Sequence, residues 1–265
     1  PVPDGWRDMV KPIKIVVVYQ SLLGIYGDRG NGMVLAKRLS WRGIASELIM
    51  VEPGQPVPTN GAVYLLGGGE DQAQIAAVDA LRADGGLFRA LDDGAVLFSV
   101  CAGYQILGNS FTVGDDDTVI EGLGLLDVDT RRGPVRAVGE VLSHWMTPEG
   151  DDYLLTGFEN HGGYTTLGPK AAPFARVELG VGNRGDGTDG AVQGRVMGIY
   201  PHGPLLPRNP LLADYLLGVA LDRRLEPLPN EQVNDELATL RHQRINVVRH
   251  TKSLSEDTRW LGERS

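Results

Sequence analysis

The single cysteine, Cys101, is the residue of this sequence best suited to act as a nucleophile. It directly follows the apolar run 95–100 (AVLFSV) and precedes the small residues Ala102 and Gly103. A sharp turn between a strand and a helix lifts a side chain clear of the sheet edge, and the N–H groups that open the helix stabilise a thiolate. Because a lone cysteine is otherwise often a small buried hydrophobe, the prediction depends on the residues around it.

A run of three glycines, residues 67–69, follows another apolar run, 62–66 (AVYLL). In an open α/β sheet, ligands bind beyond the carboxyl ends of the strands. Both Cys101 and the glycine run follow such an end. Backbone N–H groups of the loop near Gly68, together with that of Ala102, are therefore predicted to stabilise an oxyanion.

A thiolate nucleophile needs a base, and the chain has five histidines. His202 follows a short apolar strand, so it also lies at a sheet edge and is the best candidate. His161 is predicted near the pocket, as either a catalytic or a packing residue. The others are predicted to be exposed or solvated: His144, His242 and His250.

Composition and charge exclude several classes of protein. A formal net charge of −9 without a Lys/Arg cluster argues against nucleic-acid binding. One cysteine excludes a disulfide within the chain and a zinc site built on two or more cysteines, and we expect no metal here. The sequence lacks a signal-peptide pattern and any apolar run of about 20 residues. It is predicted to be cytoplasmic, without a transmembrane segment.

Strands and helices alternate in the first half of the chain, which positions these residues. This order predicts an α/β fold with right-handed crossovers and a mostly parallel central sheet with flanking helices. The predicted strands are 13–19, 46–51, 62–66 and 95–100, and the predicted helices are 32–42, 72–83 and one beginning at 104.

The second half has short, glycine-rich β-like runs, which predict antiparallel strands added to the sheet. These runs are 125–129, 138–142, 176–179 and 195–200. Residues 183–190 (NRGDGTDG) are predicted to form an exposed loop, and 211–221 a helix. The resulting organisation is an N-terminal arm over 1–12, one domain over 13–221 and a C-terminal helical tail over 222–265.

Several segments resemble the class I glutamine amidotransferases. Residues 100–108 (VCAGYQILG) resemble the nucleophile elbow of that class. Residues 159–165 (ENHGGYT) and 200–204 (YPHGP) resemble segments of its cobyric acid synthase type. Residues 25–31 (IYGDRGN) narrow the resemblance to the GatD family, the glutaminase subunits of lipid II isoglutaminyl synthase. The resemblance spans roughly residues 13–220.

This resemblance implies hydrolysis of glutamine to glutamate and ammonia, with Cys101 attacking the side-chain amide and His202 moving protons. It implies a heterodimer with a Mur-ligase-like synthetase, MurT, that activates the D-glutamate α-carboxylate of lipid II for conversion to D-isoglutamine in peptidoglycan synthesis. No cofactor is expected in this chain, because it has no G-x-x-x-x-G-K-[ST] phosphate loop. ATP and Mg²⁺ are expected on the partner.

The resemblance also implies an arginine that holds glutamine. Residues 135–140 (VRAVGE) resemble the segment that carries it, which indicates Arg136. The planar guanidinium can bind the substrate α-carboxylate through two parallel hydrogen bonds. Arg131 and Arg132 lie close enough to remain alternatives.

One position departs from the class pattern. Most class I enzymes have a glutamate two residues after the histidine, and Pro204 stands there instead. A carboxylate supplied by the synthetase partner is one hypothesis, which would tie activity to complex formation. The segment Tyr26-Gly27-Asp28 is interpreted either as lining the site or contacting the partner, or as a capped loop before a helix.

Three other functions remain as alternatives. The first is the glutaminase part of a cobyrinate-type amidotransferase, although such enzymes usually carry a synthetase domain in the same chain. The second is an inactive binding module of the same fold, against which the intact Cys101 and His202 argue. The third is a cysteine hydrolase of this architecture, which would lack the glutamine-holding arginine.

Overall fold

The computed structural model describes residues 11–25, 27–226, 228, 239–240 and 243–250. The chain divides into two compact units, Pro1–Leu225 and Glu226–Ser265. All elements named below belong to the first unit, and in the second, residues 239–240 and 243–250 are helical. Most of the predicted arm and tail lies outside the described residues, so both remain predictions. No helix that the structure describes is long and apolar enough to cross a membrane.

The elements of the first unit are numbered along the chain. They are β1 (Ile13–Val18), α1 (Arg29–Trp41), β2 (Ser46–Val51), β3 (Val63–Leu66), α2 (Asp71–Asp84), α3 (Gly86–Asp92), β4 (Val96–Val100), α4 (Ala102–Ile106), β5 (Ser110–Val113), β6 (Thr118–Glu121), β7 (Val128–Met146), β8 (Asp152–Leu167), β9 (Ala175–Leu179), β10 (Thr188–Asp189), β11 (Ala191–Gln193), β12 (Val196–Ile199), α5 (Leu205–Arg208) and α6 (Pro210–Ala220).

Six strands form the first sheet, in the order β11-β12-β4-β3-β1-β2. All its pairs are parallel except β11 with β12. Every residue of β3 and β4 is buried, which explains why these strands read as continuous apolar runs. α1 packs on β1 and β2, and α6 packs on β3 and β4. The prediction of a mostly parallel sheet with flanking helices is therefore confirmed.

The last predicted strand, 195–200, differs from expectation. It was predicted as an antiparallel addition, yet β12 pairs parallel with β4, with Ile199 opposite Val100. Only the short β11 runs antiparallel to it. As a result, the carboxyl end of β12 lies beside that of β4, at the edge where Cys101 follows.

The other predicted short strands form a second sheet instead of extending the first. Its path is β10-β9-β7-β5-β6, and β8 pairs with β7. β7 and β8 form a long antiparallel hairpin with a register shift between Arg132 and Ala137. The predicted runs 125–129 and 138–142 both fall on β7, because the mostly exposed residues between them interrupt the apolar pattern of one long strand.

The loop predicted over 183–190 is exposed only in its middle. Residues 184–187 are exposed, whereas Asn183 and Asp189 are completely buried. The Asn183 amide donates to the Gly190 carbonyl at 2.9 Å and accepts the Tyr104 hydroxyl at 3.1 Å. These hydrogen bonds compensate for burying a polar side chain.

Candidate active site

Four strands of the first sheet end at one edge, because β12, β4, β3 and β1 are adjacent and parallel. Cys101 directly follows β4, and its N–H donates to the Ile199 carbonyl of β12 at 2.9 Å. His202 lies three residues beyond that carbonyl. The sheet thus brings the predicted nucleophile and the predicted base to one place.

Cys101 has an unusual backbone conformation, with φ 51° and ψ −111°. A positive φ is strained for a residue other than glycine, and such strain persists only when the surrounding structure holds it. The Cys101 carbonyl accepts the Gln105 N–H at 3.0 Å, which ties the turn to α4. The thiol is buried, and its Sγ lies 3.9 Å from the Asn160 carbonyl oxygen of β8. This is the sharp turn that the sequence predicted.

His202 is buried and held by its own backbone. Its N–H donates to the Phe158 carbonyl at 2.8 Å, and its carbonyl accepts the Phe158 N–H at 3.1 Å. Burial by itself lowers the pKa of His202, but the negative charges of Cys101 and Asp28 raise it to about 9. At neutral pH the buried His202 therefore favours its charged imidazolium form.

A carboxylate of this same chain faces the histidine, which the sequence analysis did not foresee. Asp28 is buried, and its Oδ2 lies 3.8 Å from His202 Nδ1. The same oxygen accepts the Gly68 N–H at 2.8 Å. The other oxygen, Oδ1, is buried without a hydrogen-bond partner among the described residues. A small movement would let Asp28 accept a hydrogen bond from the Nδ1–H of His202, as catalytic hydrogen bonds often tighten when substrate binds.

Asp28 occupies the N-cap position of α1, but its side chain makes no cap hydrogen bond. The segment does precede a helix, as one of its two interpretations states, but the Asp28 carboxylate turns toward Gly68 and His202 instead of the helix N-terminus. Tyr26 lies outside the described residues. A signal was available in the sequence, since Asp28 follows β1 and so belongs to the same edge as Cys101.

The glycine loop allows three segments to approach closely. A Cβ added at Gly67 would lie 2.2 Å from the Leu23 carbonyl oxygen and 2.6 Å from Asp28 Cβ. The Gly67 carbonyl accepts the Gly103 N–H at 3.0 Å, which fixes the loop against α4. Only a residue without a side chain fits at Gly67. The glycine run thus helps to hold Asp28 beside His202.

A cavity of about 400 Å³ lies over Cys101, between the glycine loop and the β7–β8 hairpin. Its lining includes three acidic residues, Glu70, Asp71 and Asp115, and two basic residues, Arg132 and Arg136. Opposite charges in one cavity suit a small zwitterion such as an amino acid. The remaining lining residues are Gly69, Gln72, Gln74, Ala102, Gln105, Thr112, Asn160, His161, Gly162 and Gly163.

The three candidate arginines are placed differently. Arg131 does not line the cavity and donates to the Thr130 carbonyl at 2.8 Å. Arg132 lines it, but its guanidinium is held by Asp117 and the Gly114 carbonyl. Arg136 also lines the cavity. Its Nε donates to the Asn160 side-chain oxygen at 2.7 Å, and this partner is neutral. The geometry therefore favours Arg136 for binding a carboxylate.

His161 lies near the pocket, as predicted, in a setting that indicates packing. Its ring stacks on Tyr200 with centroids 3.6 Å apart, and its Nδ1 donates to the Gly163 carbonyl at 2.8 Å. His144 lies between the carboxylates of Asp152 and Glu178.

His250 is exposed, in agreement with the prediction of a solvated position. His242, for which the same was predicted, lies outside the described residues.

Asp189 is a buried acid behind the site. It ends β10 and accepts the Tyr200 N–H, just beyond β12, at 3.3 Å. Burial raises the pKa of Asp189 to about 8. Asp189 therefore connects the second sheet to the first. Its buried position favours the neutral carboxylic acid.

Known proteins resemble this chain over most of its length. Residues 14–210 match the CobB/CobQ-like glutamine amidotransferase domain. The GatD subunit of the glutamine-hydrolysing lipid II isoglutaminyl synthase from Staphylococcus aureus N315 is 32% identical over 223 residues, which cover 81% of this chain and 86% of that protein. The cobyric acid synthase of Sphingopyxis alaskensis is 35% identical over 205 residues, covering 72% of this chain but 39% of that enzyme.

A crystal structure of a glutamine amidotransferase has the same fold. It superimposes with a TM-score of 0.52 at 21% identity, covering 77% of this chain and 98% of the other. The resemblance predicted from the sequence segments is confirmed. The chain therefore belongs to the CobB/CobQ-like glutamine amidotransferase family.

Proposed function

We propose that this chain is the glutaminase subunit that supplies ammonia for amidation of the D-glutamate α-carboxylate of lipid II to D-isoglutamine. The observation that carries the chemistry is the meeting of Cys101, His202 and Asp28 at one sheet edge, opposite Arg136. The acceptor is supported by the GatD relative, which is 32% identical to this chain over 86% of its own length.

Glutamine enters the cavity with its α-carboxylate on Arg136, which binds it through two parallel hydrogen bonds. Its side-chain amide then lies over Cys101. The Cys101 thiolate attacks the amide carbon, and the carbonyl oxygen becomes an oxyanion.

Two backbone N–H groups stabilise this oxyanion. One belongs to Ala102, which opens α4 and so has no partner within its helix. For the other, the sequence indicated Gly68, but the Gly68 N–H already donates to Asp28. We therefore assign the second donor to Gly69, which lines the cavity.

His202 supplies the proton that the leaving group needs. The C–N bond breaks, ammonia departs with the proton from the imidazolium, and a γ-glutamyl thioester remains on Cys101. His202 then accepts a proton from water, which attacks the thioester and releases glutamate and the thiol. Asp28 acts as a positioning residue, because it orients the imidazole and stabilises its charge.

The ammonia passes to a Mur-ligase-like partner, MurT, which forms a heterodimer with this chain. ATP and Mg²⁺ bind to that partner, which activates the acceptor carboxylate. The reaction belongs in the cytoplasm, and no cofactor is assigned to this chain.

The test is to purify the chain with its Mur-ligase-like partner and supply ATP, Mg²⁺ and glutamine with either lipid II or a cobyrinate acceptor. The second acceptor is included because cobyric acid synthases are similar to this chain. We expect mass spectrometry to find one amide on the lipid II D-glutamate for each glutamate released. Amidation of the cobyrinate alone, or glutamate release without amidation of lipid II, would refute the proposed acceptor.

A further inference from the structure

Arg136 lies on a part of β7 where the strand pairing is irregular, so the pairing does not fix its side chain. The pairing of β7 with β8 shifts register between Arg132 and Ala137. Arg136 and its neighbour Val135 are exposed. An arginine side chain has much rotational freedom, and holding it in one orientation costs conformational entropy. Some other group must therefore orient the guanidinium over the cavity.

Asn160 makes the contact that does so. It lies on β8 across the hairpin, in register with Val138, and is half-buried. Its Oδ1 accepts the Arg136 Nε–H at 2.7 Å. Its backbone carbonyl oxygen is also the atom 3.9 Å from Cys101 Sγ. One residue thus contacts both the arginine and the nucleophile.

A guanidinium can present two different edges to a carboxylate. One edge consists of Nε and one Nη, and the other of Nη1 and Nη2. Since Asn160 occupies Nε, only the Nη1/Nη2 edge of Arg136 remains for bidentate binding. We propose that Asn160 is a positioning residue that turns this edge toward the α-carboxylate of glutamine. The inference rests on the proposed glutamine hydrolysis.

The charge of the group that holds the arginine also matters, as Arg132 illustrates. The Nε of Arg132 is held by the Asp117 carboxylate, which cancels its charge. Asn160 fixes Arg136 with a neutral amide and leaves the positive charge available to the substrate. An aspartate at this position would keep the geometry but weaken the attraction for a carboxylate.

The experiment compares two reagents that alkylate Cys101 in the full chain. The glutamine analogue 6-diazo-5-oxo-L-norleucine carries an α-carboxylate, whereas iodoacetamide does not. Inactivation rate constants are measured for wild type, Asn160→Ala, Asn160→Asp and the control Asn109→Ala, which alters an exposed asparagine outside the cavity. We expect both Asn160 variants to slow the analogue about tenfold, the scale of one charged hydrogen bond. Reaction with iodoacetamide should stay within twofold of wild type, which also reports an intact fold.

A second arm uses Arg136→Lys, because lysine has no Nε edge to orient. In that background, Asn160→Ala should slow the analogue by less than twofold further. Equal slowing of both reagents by Asn160→Ala, no slowing of the analogue, or the full effect in the Arg136→Lys background would each overturn the role of Asn160. A wild-type chain that reacts with iodoacetamide but not with the analogue would refute the proposed hydrolysis itself, and the inference with it.

Discussion

The two sheets of the first unit both supply residues of the candidate site, but in different ways. The parallel sheet supplies Cys101, His202 and Asp28 from the ends of buried strands. The antiparallel sheet supplies Arg136 and Asn160 from a hairpin whose register shifts beside the site. Reacting atoms require a fixed geometry, which a buried sheet provides. A carboxylate can be bound by a side chain that is oriented by a single neighbour.

This difference predicts a division of kinetic effects. Substitutions at the end of the parallel sheet should lower kcat, because they remove interactions made in the transition state. Substitutions on the hairpin should mainly raise KM, because they remove binding of the unreacted substrate.

Replacement of the base should have the largest effect. His202→Asn should lower kcat for glutamine hydrolysis about 10³-fold, since proton transfer contributes 10²–10⁴-fold in enzymes generally. His161 also lines the cavity, but its ring is stacked on Tyr200 and bonded to the Gly163 carbonyl, so it should not replace the base. Glutamate release measures the rate. His144→Asn, which changes a histidine between two surface carboxylates, should leave kcat unchanged. A loss of less than tenfold in the His202 variant would assign the base elsewhere.

Replacement of the carboxylate beside the base should come next. Asp28→Asn should lower kcat about 10²-fold, because an amide would donate to His202 Nδ1 and favour the wrong tautomer. The exposed Asp93 provides a control, as Asp93→Asn makes the same charge change away from the cavity.

The pH profile distinguishes this role from a merely structural one. The imidazolium is the proton donor, so wild-type kcat/KM should fall as the pH rises through about 9. Loss of the Asp28 charge lowers the pKa of His202, so the fall should begin at a lower pH in Asp28→Asn. An unshifted profile, with kcat of the isolated wild-type chain far below that of the complex, would instead support an acid from the partner.

On the hairpin, Arg136→Lys should raise KM for glutamine about tenfold or more and leave kcat within a few-fold of wild type. Lysine keeps the charge but cannot form two parallel hydrogen bonds with a carboxylate. Arg131→Lys is the matched control on the same strand, because Arg131 does not line the cavity. A fall in kcat at unchanged KM would contradict the division between the two sheets.

The smallest effect is expected where the two sheets meet, at Asp189. Burial raises the folded-state pKa of Asp189 from 3.8 to about 8, so its charged form is disfavoured in the fold. The free energy of unfolding should therefore decrease as the pH rises from about 4 through about 8. Asp189→Asn cannot ionise and should show a weaker decrease, measured as Tm against pH, with activity near wild type. Parallel Tm profiles for the two proteins would contradict this.

The sequence predicted the parallel sheet well because its strands are buried on both faces and so read as local apolar runs. Cys101 and His202 could be selected because each follows such a run. Asp28 lies ten residues beyond the end of β1, at the start of α1, and its contact with His202 depends on β1 lying beside β3, which no local pattern encodes. Pro204 indicates that no acid is supplied beside the histidine in sequence, and the proposed acid, Asp28, comes from a distant segment.

The second sheet was harder to predict for a physical reason. Its long strands contain glycines and exposed residues, so β7 and β8 lack a continuous apolar pattern. The hydrogen bond between Asn160 and Arg136 depends on the register shift in the hairpin, which follows from pairing between distant residues.

Cys101→Ala in the complex shows whether Cys101 releases ammonia from glutamine for a partner synthetase. Lipid II amidation is measured with glutamine and, separately, with ammonium as the nitrogen source. We predict that the variant produces no glutamate and no amidated lipid II from glutamine, while amidation with ammonium proceeds at the wild-type rate. Glutamine-dependent amidation that persists in the variant would contradict the account.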